Sequence, residues 1–349
     1  MKFIDLFAGL GGIRFGMQEG MNECIAYCEL DDYARKSYEA IHEPYKTGEK
    51  CFKDITKITN EDWEELKEQG LDMIIGGFPC QDFSMAGKRM GFEGTRGTLF
   101  FDIARGISIS NPKVVVLENV KGLISHNKGN TLKVVIETLE DLGYVVEKEL
   151  FNSKYFGVPQ SRERIIIVAW RKDIYIDTIL SDIKAKNNTV DSCIANIMED
   201  TVDDKFILDR HLEYYNEHLS NKEFKHGEIN VSGSLKGGFR SAGVVYDVKG
   251  VSGTLTTMQG GGREPKVYYK GHLRRLTPLE CFRLQGYSDE DYNRAAEVNV
   301  MSKLYKQIGN SVTVPLFKAV GKEIDIMMLR REIEDLKKDA QEDLTKQNI

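Results

Sequence analysis

No stretch of this 349-residue chain is long and apolar enough to cross a bilayer as a helix. Its longest apolar runs, residues 114–117 and 165–170 among them, fall far short of the roughly 20 residues a span needs. Export is not expected, because Met1-Lys2-Phe3-Ile4-Asp5 meets a carboxylate where a secretory signal carries its apolar stretch. A cytoplasmic protein is expected. Cysteine is sparse, with six residues (Cys24, Cys28, Cys51, Cys80, Cys193, Cys281) scattered through a large chain, so a disulfide framework is excluded and reduced thiols are expected. Cys24 and Cys28 lack the second ligand pair of a zinc site, and no metal is expected. Internal repeats and low-complexity tracts are absent from the sequence.

Excess positive charge is also missing overall, the formal net charge being −6. That balance hides an asymmetry. Residues 231–275 carry eight Lys or Arg against Asp247 and Glu264, a local charge of +6, which leaves −12 on the remainder. Such a segment suits phosphates, although a solvated lysine-rich surface has the same composition.

With 41% hydrophobic residues, the chain has enough apolar material for one sizeable core and a smaller second one. Apolar runs at 3–7, 24–30, 73–75, 114–117, 145–151 and 164–170 alternate with helical patterns. Over 131–142, for example, Leu132, Val135, Ile136 and Leu139 share one face. Continuous rather than alternating apolar strands belong to a parallel sheet buried on both sides. The first half is therefore read as a doubly wound, mostly parallel α/β domain with its ligands at the carboxyl ends of the strands.

After Trp170 the pattern gives way to Asn, Asp and Lys, then to a glycine-rich stretch over 232–262 with short β-like runs at 243–246 and 266–269. The expected division is 1–171, a small irregular β-rich unit at 172–271, a return to the first domain at 272–329, and a charged helix at 330–349. Helical spacing from Gly321 onward, with Ile324, Met328, Ile333, Leu336 and Leu344, reads first as a docked terminal helix. A short coiled-coil contact is the lesser reading, because the apolar spacing does not sustain three heptads.

Four segments carry chemistry. Asp5-Leu6-Phe7-Ala8-Gly9-Leu10-Gly11-Gly12 closes a strand and opens a helix, with glycines where a turn approaches a ligand. Glu29, 20 residues past Gly9, ends the second strand where an acid binds ribose hydroxyls. The crowded glycines do not match a dinucleotide fingerprint and suit an adenosyl ligand better; a plain tight turn with a surface Glu is the alternative. Gly76-Gly77-Phe78-Pro79-Cys80 ends an apolar strand and leads into a glycine-punctuated loop holding Ser84, Lys88, Arg89 and Arg96, whose cations would favour a thiolate. An inert buried cysteine is the competing reading.

Glu118-Asn119 stands at another strand end as a general acid or a surface cap. Arg162 and Arg164, in Gln160-Ser161-Arg162-Glu163-Arg164, fall on one side by alternation and suit an anion or a base edge, unless they pair with Glu118 or Glu163.

In this order, with Gln307-Ile308-Gly309-Asn310-Ser311-Val312 and the stretch from Arg274 to Tyr287, these segments resemble the ordered motifs of the C5-cytosine DNA methyltransferases, most of all the small single-chain bacterial and phage enzymes. The resemblance spans nearly the whole chain and is weak only over about 172–271, the family's target-recognition region. It implies the AdoMet-dependent methyltransferase fold, S-adenosyl-L-methionine as cofactor, and double-stranded DNA as partner. A cognate restriction endonuclease acting on the same site and a monomer on DNA are also implied.

By the same resemblance Cys80 adds to cytosine C6, Glu118 holds or protonates N3, and Arg164 contacts the base. Arg162 supports the thiolate or the carbonyl oxygen, and Asn119 braces the wall. Phe7, Gly9, Leu10, Gly11, Gly12 and Pro79 line the cofactor, Glu29 takes its ribose, Asp54 and Ile55 its adenine, and Asn310 and Val312 complete the pocket. Ser84, Lys88 and Arg96 face DNA. A duplex cytosine has to be flipped out to reach such a site. The segments Lys236-Gly237-Gly238-Phe239-Arg240 and Thr254-Leu255 look like DNA-reading loops. Arg240 would read guanine, Lys236 and Thr254 the backbone, and Phe239 would fill the vacated stack or simply pack the loop.

Two other functions compete. One is a tRNA cytosine methyltransferase of the same fold, disfavoured by Phe78 before Pro79-Cys80 and by the long 172–271 insert. The other is a catalytically dead DNA-binding regulator, disfavoured by the complete set Cys80, Glu118 and Arg164.

Overall fold

The computed structural model describes residues 1–20, 22–46, 48–79, 99–220, 222–235, 243–258 and 262–347, of which Glu342 and 344–347 contribute backbone alone. Seven strands make the large sheet: β1 (Lys2–Leu6), β2 (Glu23–Cys28), β3 (Lys50–Phe52), β4 (Leu71–Gly77), β5 (Val114–Val120), β6 (Tyr144–Asn152) and β7 (Glu163–Arg171). Their order is β3-β2-β1-β4-β5-β7-β6, with β3 through β5 parallel and β7 antiparallel to both of its neighbours. The six apolar runs read from the sequence are strands; β3, a three-residue edge strand, was not among them.

Both faces are buried because successive side chains alternate sides and nearly all are apolar. Ile4, Ile74, Val115 and Ile167 point one way, Phe3, Met73, Val116 and Ile166 the other. On the first face lie α3 (Asn60–Glu68), α4 (Leu99–Ser110) and α5 (Asn130–Asp141). The second is covered by α1 (Gly12–Gln18), α6 (Leu180–Lys186) and the 34-residue helix α11 (Val314–Gln347), whose Phe317, Val320 and Ile324 are fully buried. Between α1 and α3, α2 (Asp32–His42) is capped by Asp31, which accepts from the amides of Tyr33 and Ala34.

The remaining strands, β8 (Val231–Ser234), β9 (Val244–Tyr246), β10 (Lys266–Tyr269) and β11 (His272–Arg275), form a separate sheet in the order β11-β10-β9-β8. Between β5 and β8 the chain leaves the large sheet only after α6, and β11 closes a hairpin on β10 through Lys270-Gly271. After the short α7 (Leu212–Glu217), the helices α8 (Pro278–Leu284), α9 (Asp289–Val298) and α10 (Met301–Asn310) return the chain to α11. Among the described residues, no helix is long and apolar enough to cross a membrane.

Candidate active site

The adjacent strands β2, β1, β4 and β5 deliver Glu29, Phe7, Pro79 and Glu118 to one edge of the sheet, the carboxyl edge where a parallel sheet places its ligands. At the first of these ends Phe7 and Gly9 both take left-handed backbone (φ 55 for each), which turns the chain sharply before α1. Glu29 fixes the turn: one carboxylate oxygen accepts from the Gly9 amide and the other from the Asp31 amide, each at 2.8 Å. A carboxylate has about four acceptor positions, so two remain for incoming hydroxyls.

The glycines of this turn divide by role. A side chain on Gly11 would strike the His42 ring, and one on Gly12 would strike Val312 and Tyr287, so these two are glycines because protein packs there. At Gly9 a Cβ would meet only the Phe7 carbonyl oxygen, 3.9 Å away, and this position faces open space. Leu10 is buried in a core with Ile41 and Leu255. Asp54 caps the turn Ile55–Lys57 with one oxygen, accepting from the backbone and hydroxyl of Thr56, while Ile55 is buried in the main core. Leu30, not singled out from the sequence, is 72% exposed directly after Glu29 and offers an apolar face beside it. Its signal was an apolar residue running past the end of a strand.

At the second pair of strand ends, Gly77 of β4 lies opposite Glu118 of β5, and a Cβ on Gly77 would come within 3.0 Å of Glu118 Oε2. Asn119 donates 2.7 Å to the Phe78 carbonyl oxygen, tying β5 to the segment that carries Pro79, which is exposed. The Glu118 carboxylate meets Arg164 Nε at 2.7 Å. Burial raises the Glu118 pKa above the ordinary carboxylate range, and the Arg164 and Arg162 cations oppose that rise. Of the partners open to Arg164, the structure selects Glu118; Glu163 pairs instead with Lys121 at 2.9 Å.

Arg162 has a different environment. Its guanidinium donates to three backbone carbonyls, those of Leu255 (2.9 Å), Gly309 (3.4 Å) and Ser311 (2.5 Å), and is almost fully buried. Gln160 works alongside it, accepting from the Leu255 amide and donating to the Leu284 carbonyl and the Gln285 side chain. Gln285 in turn donates to the carbonyls of Ile308 and Ser311, and the Tyr287 hydroxyl meets Ser311 Oγ at 2.6 Å. Gln285 and Tyr287 carried no signal of their own in the sequence.

This buried joint locks four distant segments together: the residues leading into β7, the Thr254-Leu255 loop, the end of α8 and the end of α10. Exposed Thr254 donates to the Ser161 carbonyl at 2.8 Å, and Asn310 accepts from the Thr257 hydroxyl. Val312 packs over Gly12, so the C-terminal segment does reach the turn after β1. Cys80, Ser84, Lys88, Arg96, Lys236, Phe239 and Arg240 lie outside the described residues.

The doubly wound sheet, with an acid, an arginine and a glycine turn at its carboxyl edge, has the methyltransferase fold. Two solved structures share this fold at low identity. One is the Dnmt2 methyltransferase of S. pombe, with TM-score 0.67 and 16% identity over 95% of this chain and 98% of that one. The other is the Spodoptera frugiperda DNMT2, with TM-score 0.66 and 18% identity over 93% and 99%.

The family model for C-5 cytosine-specific DNA methylase matches residues 1–325, and the chain belongs to that family. Among its relatives, the type II methyltransferase M.HpaII of Haemophilus parainfluenzae is 39% identical over 92% of this chain and 88% of its own length. M.HhaI of Haemophilus parahaemolyticus is 35% identical over 93% and 94%. The orphan methyltransferase M.SPRI of Bacillus phage SPR is 32% identical over 96% and 99%. The chain is thus a DNA cytosine-5 methyltransferase of the type II kind.

Proposed function

We propose that the protein methylates C5 of a flipped-out cytosine within a short specific duplex sequence, in the cytoplasm, as the modification enzyme of a restriction-modification system. Cytosine C5 is too weak a nucleophile to take a methyl group directly. In this reading the Cys80 thiolate bonds to C6; the C5=C6 π electrons move to C5, and a proton from Glu118 to N3 balances the charge. After C5 is methylated, a base takes the C5 proton, the C5–H electrons restore the C5=C6 double bond, the S–C6 electrons leave with sulfur to regenerate the Cys80 thiolate, and N3 returns its proton to Glu118.

One observation carries the reading above the others: Glu118, buried and with a raised pKa, stands at the end of β5. Its neighbour Asn119 is bonded to the carbonyl two residues before Cys80. A raised carboxyl pKa favours the protonated form, the form that can donate to a ring nitrogen. Arg164 orients that carboxyl.

S-adenosyl-L-methionine, when bound, supplies the methyl group. The residues present fit it: Gly9 leaves open space, Glu29 keeps free acceptor positions for ribose hydroxyls, and Leu30 exposes an apolar face for a purine. Phe7, Asp54, Asn310 and Val312 would surround the same space. We assign DNA reading to 172–271 and the loop after Pro79, with Arg240 reading a base edge, Lys236, Thr254, Ser84, Lys88 and Arg96 holding backbone, and Phe239 filling the gap left by the flipped base. Within the basic segment over 231–275, Lys266 and Arg274 are buried and Arg274 pairs with Glu280, so the assignment rests on the remaining cations.

The test is covalent trapping on duplexes in which cytosine is replaced by 5-fluorocytosine, in the presence of cofactor. Fluorine cannot leave as the proton does, so a denaturation-resistant adduct is expected with the intact protein and none with Cys80→Ser. Failure to trap any target-containing duplex, with methyl transfer to tRNA instead, would replace DNA by RNA as substrate.

A further inference from the structure

Helix α11 outruns the body it packs on. Met327 is its last buried side chain among the described residues, yet the helix continues for 20 more residues, about 30 Å at 1.5 Å per residue. A lone helical extension of that length is marginal in water unless something covers one of its faces. Leu329, Ile333 and Leu336 stand on this extension 52%, 51% and 67% exposed.

With Ile326 and Ala340 these three make an alternating three- and four-residue spacing, the a and d positions of a heptad pattern: Ile326 a, Leu329 d, Ile333 a, Leu336 d, Ala340 a. At 100° per residue this seam lies roughly opposite Ile324 and Met327, which dock the helix on the sheet. A partner helix would therefore approach from the side away from the body. At its base the seam enters an open groove of about 470 Å³ beside α1, lined in part by Ala319, Ile326 and Leu329.

The charges beside the seam say which partner fits. Glu332 and Asp339 occupy the g positions, Arg330 and Lys337 the e positions, and all four are exposed. In a parallel pair each g residue faces the e residue five positions on in the other strand, so Glu332 meets Lys337 of a second copy, twice by symmetry. In an antiparallel pair g faces g and e faces e, setting acid against acid and base against base. The intrahelical pair Arg331–Asp335, 2.7 Å apart, sits off the seam at f and c and leaves it clear.

We propose that α11 is a self-association element: two copies of this chain pair in parallel through Leu329, Ile333 and Leu336, with Glu332 of each bound to Lys337 of the other. The pairing joins two complete catalytic units and is independent of the methylation mechanism.

The experiment is sedimentation velocity of the full chain without DNA over about 1–100 µM protein, with cofactor binding as a check on folding. The intact protein is expected to shift from monomer toward dimer across this range. Ile333→Lys should remain monomeric. Lys337→Glu should weaken association about tenfold or more by setting Glu332 against an acid, and Glu332→Lys combined with Lys337→Glu should restore it. A monomer at every concentration overturns the proposal. So does a dimer indifferent to Ile333→Lys, or one that the double charge exchange does not rescue.

Discussion

Arg164 Nε stands 2.7 Å from Glu118 Oε1 across the junction where β7 runs against β5, the point at which the parallel part of the sheet ends. Burial lowers the arginine pKa and raises the carboxyl pKa, so each group limits the shift of the other. Glu118→Gln should cut methyl transfer by roughly 10²–10⁴ while cofactor affinity stays near that of the intact protein. Arg164→Met should push the Glu118 pKa further up, so the alkaline limb of the kcat–pH profile should move to higher pH even as the rate falls. Single-turnover rates across pH test both.

Arg162 holds three backbone carbonyls, of which that of Ser311 also accepts from Gln285. Arg162→Met leaves the Leu255 and Gly309 carbonyls as buried, unmet acceptors, each worth about 1–3 kcal/mol, and strips Ser311 of one of its two donors. A drop in thermal midpoint well beyond that of Arg164→Met is expected, because Arg164 spends its side chain on one acid and a local carbonyl. Calorimetry of the two variants side by side separates the arginine of the buried joint from the one paired with Glu118.

Glu29 fixes the turn after β1 and, in the proposed function, also takes the cofactor ribose. Glu29→Ala should weaken S-adenosyl-L-methionine binding by about 10–100-fold, since it removes ribose acceptors and frees the Gly9 amide. Leu30→Ala removes only apolar contact and should cost less. Titration calorimetry in the absence of DNA reads both.

Asp5 is buried beside Arg14 and Tyr38, and burial raises its carboxyl pKa well above the ordinary range, with the Arg14 cation pulling it partly back. An acid with a raised native pKa is bound to its proton more firmly in the fold than in the unfolded chain. Its stabilising contribution is therefore full below the unfolded value of about 3.9 and is lost as pH rises through the raised one. Asp5→Asn mimics the protonated form. The melting temperature of Asp5→Asn relative to the intact protein should rise from pH 4 to pH 8; a constant difference would contradict the assignment.

The two cationic roles proposed for the 236–240 loop are separable. Arg240→Ala should relax base choice in the methylated sequence, whereas Lys236→Ala should weaken binding evenly across sequences and lower its salt slope by about 1. Identical effects from both variants would remove the distinction.

The sheet was legible because its strands are apolar on both faces, which leaves little room for another assignment. Strand direction was not: Ile165, Ile166 and Ile167 read alike whether β7 runs with β5 or against it, and the reversal follows from the hairpin with β6. The edge strand β3 pairs on one side only and carries no apolar run. Glu29, Glu118 and Arg164 were visible because each stands at or beside a strand end. The role of Arg162 was hidden, since its three acceptors lie 93 to 149 residues away and a backbone carbonyl leaves no mark on sequence. Leu336 reads in the sequence as part of a docked terminal helix and Leu329 carries no signal there; beyond Met327 the helix leaves the body, which no local spacing announces.

The proposed function stands on sequence-specific methylation of DNA cytosine through Cys80. Whole-genome bisulfite sequencing of a methylation-deficient bacterial host expressing the protein, beside the same host expressing Cys80→Ser, tests it most directly. Methylated cytosines confined to one short motif, and absent with the variant, are predicted. Unmethylated genomic DNA in a host that makes folded, cofactor-binding protein, or methylation that persists with Cys80→Ser, would contradict it.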